Sequence, residues 1–278
     1  MSAVRRIFHL TAVVPDRDAT VGALQRLAGA SVLHQVTDVT NGVEMHRALV
    51  WVGDTVLEVL EPIGPSPFQG FLDRIGGGLS AIGVEVHDAP ATRAALVARG
   101  VDVAVDFGPR MFATRPASTA GLAFQWSGDP VRDDPRDGAT APAPRADRVL
   151  SPARLAATVA VVDDPAAAGA LLAELFGTSC TPLGDGPVVG VGLGDGTLVL
   201  HPLDDPAPPW PDPAPSRPRV LALAVEVADV DASVAALERA GLRVSGRHLL
   251  GPVLHGDGLP GPLVLASGLP AGDPRAGR

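Results

Sequence analysis

Lysine and tyrosine are absent from the 278 residues, and cysteine occurs once. Without lysine, Schiff-base chemistry and a lysine general base are excluded, and all 22 basic residues are arginines. Without tyrosine there is no phenolic acid. Cys180 alone forms no internal disulfide and no cysteine metal cluster, and its context "FGTSCTPLG" offers no base, so it reads as a buried or loop thiol. No uncharged apolar run approaches the roughly 20 residues a membrane helix needs. Arg5 and Arg6 precede only a short apolar run, ended by Asp16, Arg17 and Asp18. That pattern lacks a secretory leader and predicts a cytoplasmic protein. Basic residues are also in deficit, 22 against 31 acidic for a net charge of −9, which excludes the clustered positive footprint of a nucleic-acid binder. Aromatic side chains make up 4%, so few rings are available to stack on a flat ligand.

What the chain does have is repetition. Its length exceeds a usual single domain, and two domains of about 100–150 residues are expected. "RIFHLTAVVPDRDATVGALQRLAG" at 6–29 returns as "RLAATVAVVDDPAAAGALLAELFG" at 154–177, each a strand followed by a helix ending at glycine. "IGVEVHDAPATRAALVARGVDV" at 82–103 returns as "LAVEVADVDASVAALERAGLRV" at 223–244. Each half also repeats within itself, because every such strand and helix is followed by three short strand candidates. The chain therefore reads as four strand-helix-strand-strand-strand units, an α+β fold of two paired halves at 1–128 and 151–270. The stretch 129–150, rich in Pro, Ala, Asp and Arg, reads as a solvated linker, "DDPAPPWPDPAPSRP" at 204–218 as a second one, and 271–278 as a loose tail.

Within the strands, a few polar residues stand among apolar neighbours. His9 alternates onto the face of Ile7, Thr11 and Val13, with Phe8, Leu10 and Ala12 opposite. Glu58 sits between Leu57 and Val59, and Gln125 between Phe124 and Trp126. Burying one such group unpaired costs on the order of 1–3 kcal/mol, so three that converge satisfy each other, a water or an ion. His9 alone equally fits a hydrogen-bonded core histidine. Glu44 and His46 share a strand face and are candidate proton-transfer groups, or an exposed edge-strand pair. Arg110 and Arg115, in "PRMFATRP", can meet an anionic substrate. The glycines at 76–78 have no strand-to-helix phosphate-loop context.

Four units paired in two halves resemble the vicinal oxygen chelate (glyoxalase-like) superfamily, which includes glyoxalase I, methylmalonyl-CoA epimerase, extradiol dioxygenases and bleomycin-resistance proteins. The most specific stretch is "GDTVLEVLEPIGPSPFQGFLDRIGGGLSAIGVEVHD" at 53–88, similar to the epimerase and glyoxalase pattern. The resemblance implies two cupped mixed sheets, with a divalent ion (Zn, Ni, Co, Mn or Fe) held by the first and last strands of each unit. By position, those places are His9, Glu58, Ala81 and Gln125 in the first half, so that His9, Glu58 and Gln125 are the implied metal ligands. The family pattern has two histidines where Ser80 and Ala81 stand, and an acid in place of Gln125. In the second half the matching places are Ala157, Leu198, Ala222 and Leu265, with His201 in the place of Glu61, and no ligand remains. Ser80, Arg110, Arg115 and Trp126 are the candidate substrate contacts, with Glu58, Glu44 and His46 the candidate catalytic groups.

Two functions follow from the resemblance. The first is a metal-assisted lyase, isomerase or epimerase that polarises the carbonyl of a small oxo compound or acyl thioester and moves a carbon-bound proton through an enolate. The second is a metal-free protein that sequesters a small molecule, as the bleomycin-resistance group does. Either acts on a small molecule, as a monomer or homodimer, with no nucleic-acid or membrane partner expected.

Overall fold

The computed structural model describes residues 4–40, 42–152, 154–206, 208–211, 215–270, 272–273 and 275. All four predicted units are present. The first is β1 (Val4–Val13), α1 (Arg17–Ala28), β2 (Ser31–Thr40), β3 (Val43–Val52) and β4 (Thr55–Pro62). A short helix, α2 (Pro67–Ile75), leads to the second: β5 (Gly78–Val86), α3 (Ala89–Ala98), β6 (Val103–Asp106), β7 (Met111–Thr114) and β8 (Phe124–Ser127). The third is β9 (Arg154–Val162), α4 (Pro165–Phe176), β10 (Cys180–Pro182), β11 (Val189–Leu193) and β12 (Gly196–Pro202). The fourth is β13 (Arg219–Glu226), α5 (Val230–Arg239), β14 (Arg243–His248), β15 (Gly251–His255) and β16 (Leu263–Ala266). Each unit enters its helix in one way. Asp16, Asp88, Asp164 and Asp229 are N-caps whose carboxylates accept from the backbone N–H three residues on.

Each half folds into one eight-stranded mixed sheet, in the order β2-β3-β4-β1-β5-β8-β7-β6 and its counterpart β10-β11-β12-β9-β13-β16-β15-β14. The first strands of the two units pair antiparallel at the centre, and each pairs parallel with the last strand of its own unit. That arrangement brings β1, β4, β5 and β8 side by side. On the helix-bearing face of both sheets one apolar core runs through the two halves, from Leu10, Leu24 and Leu57 to Leu172, Leu198 and Leu223. Phe176 of α4 packs with Phe124 and Trp126 of the first sheet, ring centroids 5.1 and 5.4 Å apart. The opposite face of each sheet forms a cup.

A matched pair of clamps also joins the halves. The two-residue turns Gly53-Asp54 and Gly194-Asp195 each have glycine at positive φ, as such hairpin loops require. Each turn lies against the first strand of the other half: Asp54 accepts from Leu155 N at 2.7 Å, and Asp195 from Ile7 N at 3.3 Å. A Cβ at Gly194 would stand 2.2 Å from Arg5 O, so no other residue fits there. The adjacent carbonyls are held by arginines of a repeated Asp-Pro-Arg motif. Arg136 donates to Ile7 O (2.7 Å) and Phe8 O (2.9 Å), while Arg275 donates to Leu155 O (2.8 Å) and Ala156 O (3.3 Å). Buried Asp134 and Asp273 pair with these arginines.

Several expectations are corrected here. The linker is not wholly solvated, since Val131, Asp134 and Leu150 are buried. Asp273 and Arg275 hold the second half, so the described part of the tail is not loose; residues 271, 274 and 276–278 lie outside the described residues. In the second Pro-rich stretch, Trp210 is buried in the second cup. Register moves two matches by one residue, because Val199 pairs with Val159 as Glu58 pairs with Thr11, and Val264 pairs with Ala224 as Gln125 pairs with Gly83. The second-half equivalents are thus Ala157, Val199, Ala222 and Val264, not Leu198 and Leu265, and His201 matches Leu60 rather than Glu61. The side chains of these four equivalents are all aliphatic and offer no metal donor. Cys180 is partly exposed, and burial raises its thiol pKa.

Candidate functional site

The first cup is built by a bulge. Strict alternation places Phe8 opposite His9, but the β1–β5 register shifts between Ile7 and His9. Ile7 consequently joins the shared core while Phe8 turns into the cup beside His9, ring centroids 4.1 Å apart. Gly83 faces both; a Cβ there would lie 2.5 Å from the Phe8 ring and 3.0 Å from His9 Nε2.

His9, Glu58 and Gln125 do converge, as the sequence predicts. His9 Nε2 lies 2.9 Å from Gln125 Oε1, 3.0 Å from Thr11 Oγ1 and 3.4 Å from Glu58 Oε2. Thr11 Oγ1 in turn donates to Glu58 Oε2 at 3.1 Å. His9, Thr11 and Glu58 are buried. Burial holds the His9 pKa below its ordinary value; Glu58 opposes that, and Arg47 and Arg136 add to it, so the imidazole is neutral at pH 7. Ala81 presents only a methyl group to this cluster. Among the described residues no three His, Cys, Asp or Glu side chains meet in metal-binding geometry. The donors here are one imidazole, one carboxylate, one amide and one hydroxyl.

Sequence reasoning missed Thr11, Arg47 and Asp38. Arg47 Nη1 stands 3.7 Å from Glu58 Oε1, and the same guanidinium is hydrogen-bonded to Asp38. Arg47 Nε and Asp38 Oδ1 are nevertheless buried without a partner. The signal for Arg47 was available, since strand pairing sets it two residues from Leu49, the partner of Glu58.

Other candidates lie elsewhere. Glu44 and His46 share a face, but it is the helix-bearing one: His46 pairs with Glu61, which accepts from Arg17 N at 2.9 Å, and hydrogen-bonds Thr37 at 2.7 Å. They are therefore not proton-transfer groups of this cup. Trp126 alternates away from Gln125 and is buried in the core, stacked on Phe112. Arg110 is exposed and paired with Asp129 at 2.6 Å, and Arg115 is exposed 3.9 Å from Asp102. The Ser80 hydroxyl donates to Thr11 O at 3.2 Å. Trp126, Arg110 and Arg115 make no hydrogen bond to the donor cluster, and Ser80 reaches only the backbone of Thr11.

The mouth of the cup is closed by the chain that follows β8. Val131 packs with Phe8, Val56, Leu33, Leu49, Trp51 and Met111, and the Arg136 guanidinium lies 5.8 Å above the Trp51 ring.

Comparison with known proteins agrees with this architecture. Residues 8–116 match the family model described as the Glyoxalase/Bleomycin resistance protein/Dioxygenase superfamily. A mutant of 4-hydroxymandelate synthase from Streptomyces coelicolor superposes with a TM-score of 0.65 at 15% identity, over 97% of this chain and 94% of that one. The Mn(II)-bound glyoxalase from Novosphingobium aromaticivorans gives 0.64 at 15% identity, over 97% and 84%. No curated protein sequence matches the chain. No described helix is long and apolar enough to cross a membrane. Residues 8–116 of this chain are thus similar to the glyoxalase/bleomycin resistance/dioxygenase superfamily, and the whole chain has the fold of two such domains in tandem.

Proposed function

We propose that the N-terminal cup is an enzyme site, assisted by a divalent cation, that moves a carbon-bound proton in a small oxo compound or acyl thioester, as an isomerase, epimerase or lyase. One observation carries this reading: three oxygens, of Thr11, Glu58 and Gln125, crowd a single ring nitrogen of His9 at 2.9–3.4 Å. The Thr11 hydroxyl is given to Glu58 Oε2, and a neutral imidazole nitrogen, with one proton or one lone pair, fully serves only one of the oxygens around it. These spacings fit a cation, because bonds of about 2.0–2.2 Å put neighbouring donors about 3 Å apart at right angles. The methyl of Ala81 leaves a coordination place open for water or substrate. The glyoxalase of like fold is Mn(II)-bound, which favours the same kind of ion.

His9, Gln125 and Glu58 would hold the ion. When bound, it supplies Lewis-acid polarisation of a substrate carbonyl. With Glu44 and His46 on the other face and Gln125 unable to take a proton, Glu58 is the group that accepts it from carbon and returns it. Arg47 holds the outer oxygen of Glu58, and its unpartnered Nε with Asp38 Oδ1 gives the substrate two polar anchors. The plug around Val131 excludes water and must withdraw to admit substrate.

Metal-free sequestration remains the second reading, favoured by Ala81 and by the apolar lining of Phe8, Val56 and Trp51. Elemental analysis after dialysis against Mn(II) separates the two. About one equivalent in wild type, absent in His9→Ala and reduced in Glu58→Gln, is expected; wild type that takes up no transition metal overturns the enzyme reading.

A further inference from the structure

We propose that the cleft between the two halves is a second binding site, which takes a small carboxylate with an apolar body on Arg219. The cleft has a volume of about 390 Å³, at the small end of ligand clefts, and shares no residue with the cup's donor cluster. Its walls are the end of β1 with the start of α1, the glycines at 76–78, the start of β13, and residues 258–262.

Arg219 is the anomaly that points to a ligand. Other arginines that are buried or part-buried have polar partners, such as Arg6 with Glu85, Arg47 with Asp38, Arg136 with Asp134, Arg154 with Glu226, Arg275 with Asp273, and Arg148 with the Ser151 hydroxyl. Arg219 lines the cleft with its Nε buried and without a hydrogen-bond partner. Burial and the like charge of Arg217 both disfavour its protonated form, and no carboxylate among the described residues offsets them. A buried guanidinium N–H left unpaired is costly, and an anion held bidentately removes the cost.

The rest of the cleft narrows the ligand. Asp16 is on the wall as the N-cap of α1, accepting from Ala19 N at 2.8 Å. Its negative charge selects a monoanion over a phosphate dianion. Val14, Leu79, Leu221, Leu259 and Pro262 provide an apolar surface for the body of the ligand. The glycine run, without a role as a phosphate loop, keeps these walls close: a Cβ at Gly78 would meet Pro260 O at 3.2 Å, and one at Gly77 would meet Val13 O at 3.2 Å.

Calorimetric titration of the full chain with hexanoate, hexan-1-ol and inorganic phosphate tests the site. Saturable one-to-one hexanoate binding in the millimolar range is expected, with hexanol at least about ten-fold weaker and hexanoate weakened about ten-fold or more in Arg219→Met. Absent hexanoate binding, equal affinity for hexanol, or undiminished binding in Arg219→Met overturns the proposal, and phosphate binding tighter than hexanoate overturns the carboxylate assignment. The hexanol comparison uses wild type alone and holds even where Arg219→Met does not fold.

Discussion

Gly83 sets the geometry of the first cup, since it alone lets Phe8 and His9 lie over the strand that pairs with Gln125. Gly83→Ala forces one of those rings to move. Such overpacking costs typically about 1–3 kcal/mol, readable as a lower urea midpoint, and Mn(II) uptake should fall with it. His248 offers a pH test in the other half, where burial first and His201 second lower its pKa to about 3. The unfolded chain binds a proton near the ordinary histidine value and the folded chain does not, so stability declines as pH falls below about 6.5. At pH 5 that loss is about 2 kcal/mol relative to pH 7.5. His248→Asn keeps an acceptor for Leu250 N and should flatten the slope in urea titrations at the two pH values. His9, Glu58 and Gln125 were legible because each is polar amid apolar strand residues. Thr11 was not, because threonine is ordinary in strands. Val199 and Val264 were mistaken by one position because their immediate strand neighbours are all apolar and carry no polar mark of register.

At the scale of elements, strands and helices were legible from period and from the recurring Asp caps, whereas the connections were not. Residues 129–138 have the composition of a solvated linker, and composition says nothing of where a single Val131 docks. The clue was the Asp-Pro-Arg triplet, at 134–136 and again at 273–275, which marks both connections as structural. Val131→Asp puts a charge into the Phe8 and Trp51 cluster and should release the plug. Faster amide exchange over residues 129–137, with a red shift of Trp51 emission, is the expected result. Unchanged exchange would mean that the Asp134 and Arg136 clamp holds the segment unaided.

For the whole molecule, duplication was plain from the sequence, yet the joining of the halves into one core was hidden. Contacts such as Phe176 on Trp126 link faces that each half's own pattern marks only as apolar. Two domains sharing a core unfold together, so calorimetry should record one transition with equal calorimetric and van't Hoff enthalpies. Two resolved transitions would contradict the shared core. The reciprocal clamp also has a consequence for synthesis on the ribosome. The first half is fully translated by residue 128, but Ile7 N gains Asp195, and Trp126 the cover of Phe176, only as the second half emerges. At about 5–20 residues per second, the nascent first half waits roughly 3–15 s with its apolar face open, which makes this interval the one in which chaperones matter most to the chain.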